Sequence, residues 1–265
     1  MIDAHLHLWD KQHGMVDGLP VYDLGGGRSQ FGSVVRQMTP AYIHHGVNSV
    51  ERLLANMDFA QVAGAVVTQE YIDGNQDAYL RQVRQAHPLR LRVSALYEEK
   101  SLGDISWADG IKICAGRLAD QDLTHHAEAF RRAAAEDKFI GLDLADGDTQ
   151  TASLREMIQQ YPNVRMAIGH FGMVTTPGWQ EQIRLARYPN VFVESGGITW
   201  LFNSEFYPYP SAVRAILEAR DICGMEKLMW GSDYPRTMTA ITYRKSGDFV
   251  AKSPLLTPEE KQMFF

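Results

Sequence analysis

Two histidines, His5 and His7, stand two residues apart at the end of an apolar run over residues 2–8. Side chains two apart in a strand share a face, so both imidazoles would point to one side of the sheet that holds them. A third, His170, follows another apolar run (164–168) through Gly169. Asp233 follows a third (227–231) through Ser232. Lys112, Asp143 and Glu194 lie in or at the ends of further runs of this kind. A buried imidazole or carboxylate costs several kcal/mol unless it is paired or ligated. Groups of this type at the ends of apolar runs therefore point to chemistry rather than to packing. An aspartate has an ordinary pKa of ~3.9, so Asp233 is an ion at neutral pH and can take a proton from an attacking water. Neutral or protonated His5, His7 and His170 can stabilise the oxyanion that forms. Only two cysteines occur, Cys114 and Cys223, so any metal would have nitrogen and oxygen ligands, which suits Zn²⁺ or Mn²⁺. Such an ion would lower the pKa of a bound water to ~7. Either route suits hydrolysis of a carbonyl ester or amide.

The elements that must position these groups follow from periodicity. Strands are predicted over 2–8, 64–69, 91–97, 110–114, 139–144, 164–168, 191–195 and 227–231. Helices are predicted over 47–62, 75–87, 123–137, 151–161, 179–188 and 211–223. A last helix opens on a capping box formed by Thr257, Pro258 and Glu260. Short strands apolar on both faces suit a parallel sheet buried on both sides. Eight of them, most followed by a helix, predict an α/β fold, a (β/α)8 TIM barrel, as a single domain over 1–265. The length of 265 residues agrees with the ~250 typical of that fold, whose active sites lie at the C-terminal ends of the strands. No Gly-x-Gly-x-x-Gly follows the first strand, and Gly25-Gly26-Gly27 lacks the lysine of a phosphate loop; it reads as a flexible loop.

Residues 10–46 read as a long irregular insertion that follows His7 directly and can fold over the barrel mouth as a lid. It carries Arg28 and Arg36, and Arg236 follows Asp233. Guanidinium forks match carboxylates, so an anionic or polyhydroxy substrate is expected, with Arg28, Arg236 and Lys112 as substrate-binding residues. Trp200 leads an aromatic cluster (Phe202, Phe206, Tyr207, Tyr209) that walls the pocket, packs a loop or packs a subunit interface. His13, His87 and the pairs His44-His45 and His125-His126 read as surface residues. Cys114 reads as a buried apolar side chain.

Composition closes off other classes. Hydrophobic residues make up 45% and charged residues 22%, ordinary for a globular chain. The net charge of −6, from 26 Lys+Arg against 32 Asp+Glu, offers no concentrated basic surface for nucleic acid. No window approaches ~18 uninterrupted apolar residues, so no membrane span is expected. No signal-peptide pattern opens the chain, and two cysteines make no disulfide framework, so a cytoplasmic location is expected. The expected partner is a small-molecule substrate; a homo-oligomer stays open.

Three motifs give these residues a family. Ile2-Asp3-Ala4-His5-Leu6-His7 resembles the opening signature of the amidohydrolase superfamily. Ile168-Gly169-His170-Phe171-Gly172 is similar to the sixth-strand histidine motif of its amidohydrolase-related (amidohydrolase 2) branch. Leu228-Met229-Trp230-Gly231-Ser232-Asp233-Tyr234-Pro235 resembles that branch's eighth-strand Gly-Ser-Asp-x-Pro motif. The branch holds sugar and dicarboxylate lactonases, other hydrolases and metal-dependent non-oxidative decarboxylases. The resemblance implies that His5 and His7 bind a divalent metal or, in metal-free lactonases, polarise the substrate carbonyl. It implies that His170 is an electrophile or acid, and that Asp233 is the general base, and a metal ligand where metal is present. Many metal-dependent members place a histidine at the end of the fifth strand. Here Asp143 stands there, as a fourth ligand or as an orienting group, which shifts the expectation toward the lactonase-like members. Lys112 would be carbamylated in the manner of binuclear relatives, or would pair a substrate carboxylate, Asp143 or Glu194. The resemblance also implies an Asn-Ala segment beyond Phe265. The expected function is a lactonase-like hydrolase. The alternatives are a metal-dependent decarboxylase on the same scaffold and a non-catalytic ligand-binding barrel.

Overall fold

Val, Ile, Leu and Ala dominate eight short segments whose side chains are buried on both faces, as parallel strands covered by helices require. The computed structural model describes residues 1–99 and 101–265. In chain order its strands are β1 (Ile2–His7), β2 (Met15–Val16), β3 (Leu19–Asp23), β4 (Arg28–Phe31), β5 (Val34–Gln37), β6 (Gly64–Thr68), β7 (Leu91–Leu96), β8 (Gly110–Ile113), β9 (Phe139–Leu142), β10 (Met166–Ile168), β11 (Val191–Glu194) and β12 (Leu228–Met229). Strands β1 and β6–β12 form one all-parallel sheet in sequence order. The sheet curls until its last and first strands meet. The seam between them is joined by Ala4 N–H to Trp230 O (2.8 Å), Asp233 N–H to His5 O (2.9 Å) and His7 N–H to Tyr234 O (2.8 Å). The result is a nearly closed (β/α)8 barrel, as the strand count predicts.

The helices pack outside. In α1 (Val50–Ala60) the buried residues Val50, Leu53, Met57 and Ala60 recur at three and four residues, the spacing of one helical face. α2 (Asp77–Ala86), α3 (Ala127–Ala135), α4 (Thr151–Gln160) and α5 (Trp179–Arg184) follow β6, β8, β9 and β10. The short α6 (Ile198–Leu201) and the longer α7 (Pro210–Cys223) follow β11, and α8 (Lys245–Ala251) and α9 (Pro258–Phe264) follow β12. The capping box predicted at Thr257 opens α9, with Glu260 N–H on Thr257 Oγ1 and Thr257 N–H on Glu260 Oε2. One surface expectation is overturned: His126 is buried, its ring bonded to the Tyr97 hydroxyl at 2.8 Å and to Asp120 O at 2.9 Å. Its neighbour His125 is exposed.

The 10–46 insertion is not irregular. It folds as an antiparallel sheet in the order β2-β3-β4-β5. Its first hairpin turns on Asp17 (φ 52°) and Gly18 (φ 74°), the pair of left-handed residues that a two-residue hairpin loop needs. The insertion is tied down at its base, where Trp9 and Asn48 exchange main-chain hydrogen bonds of 3.2 and 3.0 Å. Its near side is held by Met15 N–H to Tyr71 O at 2.9 Å.

Candidate active site

At the C-terminal mouth of the barrel lies a cavity of about 620 Å3. His7, Asp143, His170, Trp200, Asp233 and Arg236 line it, with Glu70 and Arg117, and the insertion contributes Arg36, Gln37 and Met38. His5 lies just behind His7, buried and linked to it through the rings: their Nε2 atoms are 3.1 Å apart. Lys112 is buried beneath the mouth and does not line it. Arg28 is exposed on β4, away from the cavity, whereas Arg36 on the neighbouring strand faces it.

The two ends of the His5 ring meet different partners. Nδ1–H donates to Glu194 Oε1 at 2.7 Å. An ionised carboxylate only accepts, so that proton is fixed there and Nε2 keeps its lone pair toward His7. His7 Nε2 in turn lies 3.0 Å from Asp233 Oδ1. His5 Nε2, His7 Nε2 and Asp233 Oδ1 thus converge with one proton among them. Asp233 Oδ2 accepts from Trp200 Nε1 at 2.7 Å, which places that tryptophan in the site and not in loop packing.

A second group sits beside the first. His170 Nδ1–H donates to Gly196 O at 3.0 Å. Its Nε2 lies 3.5 Å from Asp143 Oδ2, too long for a firm hydrogen bond. Asp143 Oδ1 is held at 2.5 Å by Lys112 Nζ. Lys112 is therefore committed to Asp143 and the carbamylated form would have to break this buried pair.

Local backbone serves this crowding. Glu194 is walled in where a side chain on Gly169, Gly196 or Gly231 would collide with its carboxylate, at 2.8, 2.7 and 2.5 Å from a Cβ. His170 (φ 54°) and Asp233 (φ 57°) both occupy the left-handed region, which residues other than glycine adopt rarely and which clusters at functional sites.

Electrostatics divide the groups. Burial, with the Arg236 guanidinium nearby, pushes the His7 imidazole down to about 3, so it is neutral at physiological pH. For His170 burial works against the charge, but the Asp143 carboxylate outweighs it and pushes the ring up to about 10. Burial also opposes ionisation of Asp233, yet the hydrogen bond from His7 and the surrounding histidines hold it well below the usual carboxylate range. Asp143 is held low in the same way, burial being outweighed by Lys112 and His170.

With the His7 proton on Nδ1, the converging Nε2 atoms of His5 and His7 and Oδ1 of Asp233 fit a divalent cation. All three ligand atoms lie within 4.8 Å of one another, and His5 carries on its far nitrogen the carboxylate that commonly backs a metal-binding imidazole. His5, Asp143 and His170 form an overlapping group of the same span. Glu194 faces His5 Nδ1 and not the converging atoms. Among the cavity-lining residues, Glu70 and Arg117 went unselected in the sequence. They form an ion pair of 2.9 Å; Glu70 stands two residues beyond the end of β6, a position that could have singled it out, and Arg117 closes a 3-10 turn four residues beyond β8. Arg236 stacks over the Trp9 ring at 5.6 Å and its Nη2 binds Asp73 at 2.8 Å, while its Nη1 is buried without a hydrogen-bond partner.

Residues 148–265 match the amidohydrolase family model Amidohydro_2. No curated protein matches the sequence. Solved structures do share the fold. A probable 2-pyrone-4,6-dicarboxylic acid hydrolase from Acinetobacter baumannii, with citric acid bound, is 17% identical with a TM-score of 0.72, over 100% of this chain and 95% of that one. An amidohydrolase from Burkholderia multivorans with bound zinc is 16% identical with a TM-score of 0.69, over 99% and 95%. A 5-carboxyvanillate decarboxylase from Novosphingobium aromaticivorans with bound manganese is 16% identical with a TM-score of 0.54, over 83% and 79%.

Proposed function

We propose, on the premise that this chain is a barrel of the amidohydrolase family, that it is a hydrolase that opens a lactone of a small anionic or polyhydroxy acid. The observation that carries this reading is that Asp233, whose carboxylate accepts from His7 and Trp200, and His170, which faces the Asp143 carboxylate, line one cavity. Two titratable groups driven to opposite protonation states are what acid–base chemistry at neutral pH requires.

Asp233, steadied by the Trp200 N–H on Oδ2, accepts a proton from the water that attacks the carbonyl carbon. The carbonyl oxygen gains the electron pair and becomes an oxyanion, which the positive His170 stabilises. When the ring C–O bond breaks, the leaving alkoxide takes the His170 Nε2 proton, the one held only loosely by Asp143. The product is a hydroxy acid, and Asp233 and His170 are reset by proton exchange with water. Arg36, Arg117 and Arg236 on the cavity wall favour a substrate that carries carboxylates. His5, His7 and Asp233 would hold a divalent ion, zinc or manganese, which when bound supplies a Lewis acid and lowers the pKa of water to ~7.

A panel of sugar-acid lactones and aromatic dicarboxylate lactones, assayed by acid release with and without chelator, tests this. Turnover of at least one, lost in Asp233→Asn, is expected. Release of CO₂ from aromatic acids with no lactone opened would replace the hydrolase by a decarboxylase. Binding without turnover of either kind would leave a non-catalytic barrel.

A further inference from the structure

Behind the histidine pair lies a carboxylate that the reaction above does not use. Asp3 is fully buried on β1 and its side chain accepts four hydrogen bonds. Oδ1 receives the main-chain N–H of His5 at 3.1 Å and that of Ser232 at 2.9 Å. Oδ2 receives the Ser232 hydroxyl at 2.5 Å and the Tyr243 hydroxyl at 2.8 Å. Ser232 Oγ accepts in turn from Tyr234 N–H at 3.0 Å. The donors come from both sides of the barrel seam, and two of the residues that supply them are His5 and the immediate neighbour of Asp233.

The seam is where such a device is needed. β12 is only two residues long and forms no regular ladder with β1. The pairing of β1 with β6 also shifts register between Asp3 and Leu6, the stretch that holds His5. An irregularity of this kind re-aims side chains, and its shape has to be held by something other than the ladder.

We propose that Asp3 is a positioning residue: one buried carboxylate that sets the separation of His5 and Asp233 by gathering two main-chain N–H groups and two hydroxyls from both sides of the seam, the hydroxyls being needed to hold it in place. Neither Asp3, Ser232 nor Tyr243 lines the cavity, so the effect reaches the substrate only through His5 and Asp233. Its consequence for turnover rests on the hydrolytic reading above; its consequence for geometry does not.

Asp3→Asn keeps the shape and the two main-chain bonds but replaces the oxygen that receives both hydroxyls. Its crystal structure is expected to move His5 Nε2 and Asp233 Oδ1 from their 3.9 Å separation by more than about 0.5 Å, the tolerance of a working site. Zinc affinity, titrated directly with the metal alone, is expected to fall by about 10–100-fold, as for other groups that orient ligands. On a lactone that the wild type opens, kcat should fall at least about tenfold with KM little changed. A purely structural role would lower Tm and leave these readouts alone. Unchanged separation together with wild-type zinc affinity would overturn the proposal. If Asp3→Asn does not fold, Tyr243→Phe, which removes one bond of the four, should show a smaller loss of zinc affinity; wild-type affinity there overturns it equally. If the wild type opens no lactone, the hydrolytic reading fails while the structure and the zinc titration still decide the role of Asp3.

Discussion

His7 and His170 share one cavity and are driven in opposite directions, His7 down to about 3 and His170 up to about 10. Burial opposes the charge on both rings; it prevails at His7, where the Arg236 guanidinium adds to it, and is outweighed at His170 by the Asp143 carboxylate. The His170 charge makes a pH prediction. Its folded value lies above the ordinary 6.5, so the stability it contributes is complete below about 6.5 and is lost as pH rises through about 10. The unfolding free energy, measured by urea titration, should decline across that window in the wild type and show less of that decline in His170→Asn. Parallel profiles would contradict the assignment. Asp233→Asn should retain the fold, since an amide can still occupy the place between His7 and Trp200, but should cost about 10²–10⁴ in kcat, the usual worth of a general base. Calorimetry and steady-state kinetics together check both halves. At this scale much could be read from the chain alone, because His5, His7, His170 and Asp233 each end an apolar run. Asp3 was hidden for the opposite reason: nothing in a sequence tells that an aspartate inside a strand will find four donors across a seam.

Elements decide how close these groups can come. On β10 and its exit, Gly169 lets Asp143 and Glu194 approach where a Cβ would stand 2.2 Å from one and 2.8 Å from the other. Gly169→Ala should therefore cost about 1–3 kcal/mol of stability and scatter the carboxylates, with activity lost at temperatures where the protein is still folded. A variant of wild-type activity would show that the network yields more easily than its packing implies. The insertion acts differently, through its inner edge. Arg36 is exposed and touches the cavity, so Arg36→Ala should leave Tm unchanged and raise KM for an anionic substrate about tenfold or more, the loss of one charge-assisted hydrogen bond. An unchanged KM would remove Arg36 from the binding surface. The eight barrel strands were legible because they are apolar on both faces and bounded by polar or proline-containing stretches; Gly110–Ile113 and Val191–Glu194 fall within one residue of the expected ends. The insertion was not, because β5 is exposed at all four positions and so carries no alternation to read. Its one clear signal was Asp17-Gly18, a hairpin turn pair lying between segments too short to register.

For the whole molecule, ligand binding and stability are one equilibrium. If His5, His7 and Asp233 hold zinc, the metal at one hundred times its Kd should add about 2.7 kcal/mol to the unfolding free energy. For a chain of this size that corresponds to a rise in Tm of about 5–10 °C. Differential scanning calorimetry with and without zinc measures it, and the rise should vanish in a His5→Ala, His7→Ala double variant. No rise in the wild type would remove metal from this site. The barrel seam has a further consequence in time. His7 meets Asp233 across 226 residues of chain, and Asp3 meets Ser232 across 229. Contacts so distant along the chain are the slow ones to form. During synthesis the first strand leaves the ribosome with both histidines and must wait, unpaired on one edge, until the eighth strand follows. The helices and the middle of the sheet can assemble before then, but the cluster of His5, His7 and Asp233 is completed by the same event that closes the barrel. The assembled cluster is thus a late arrival in the protein's biogenesis, and in a refolding experiment zinc binding should trail the gain of helical signal.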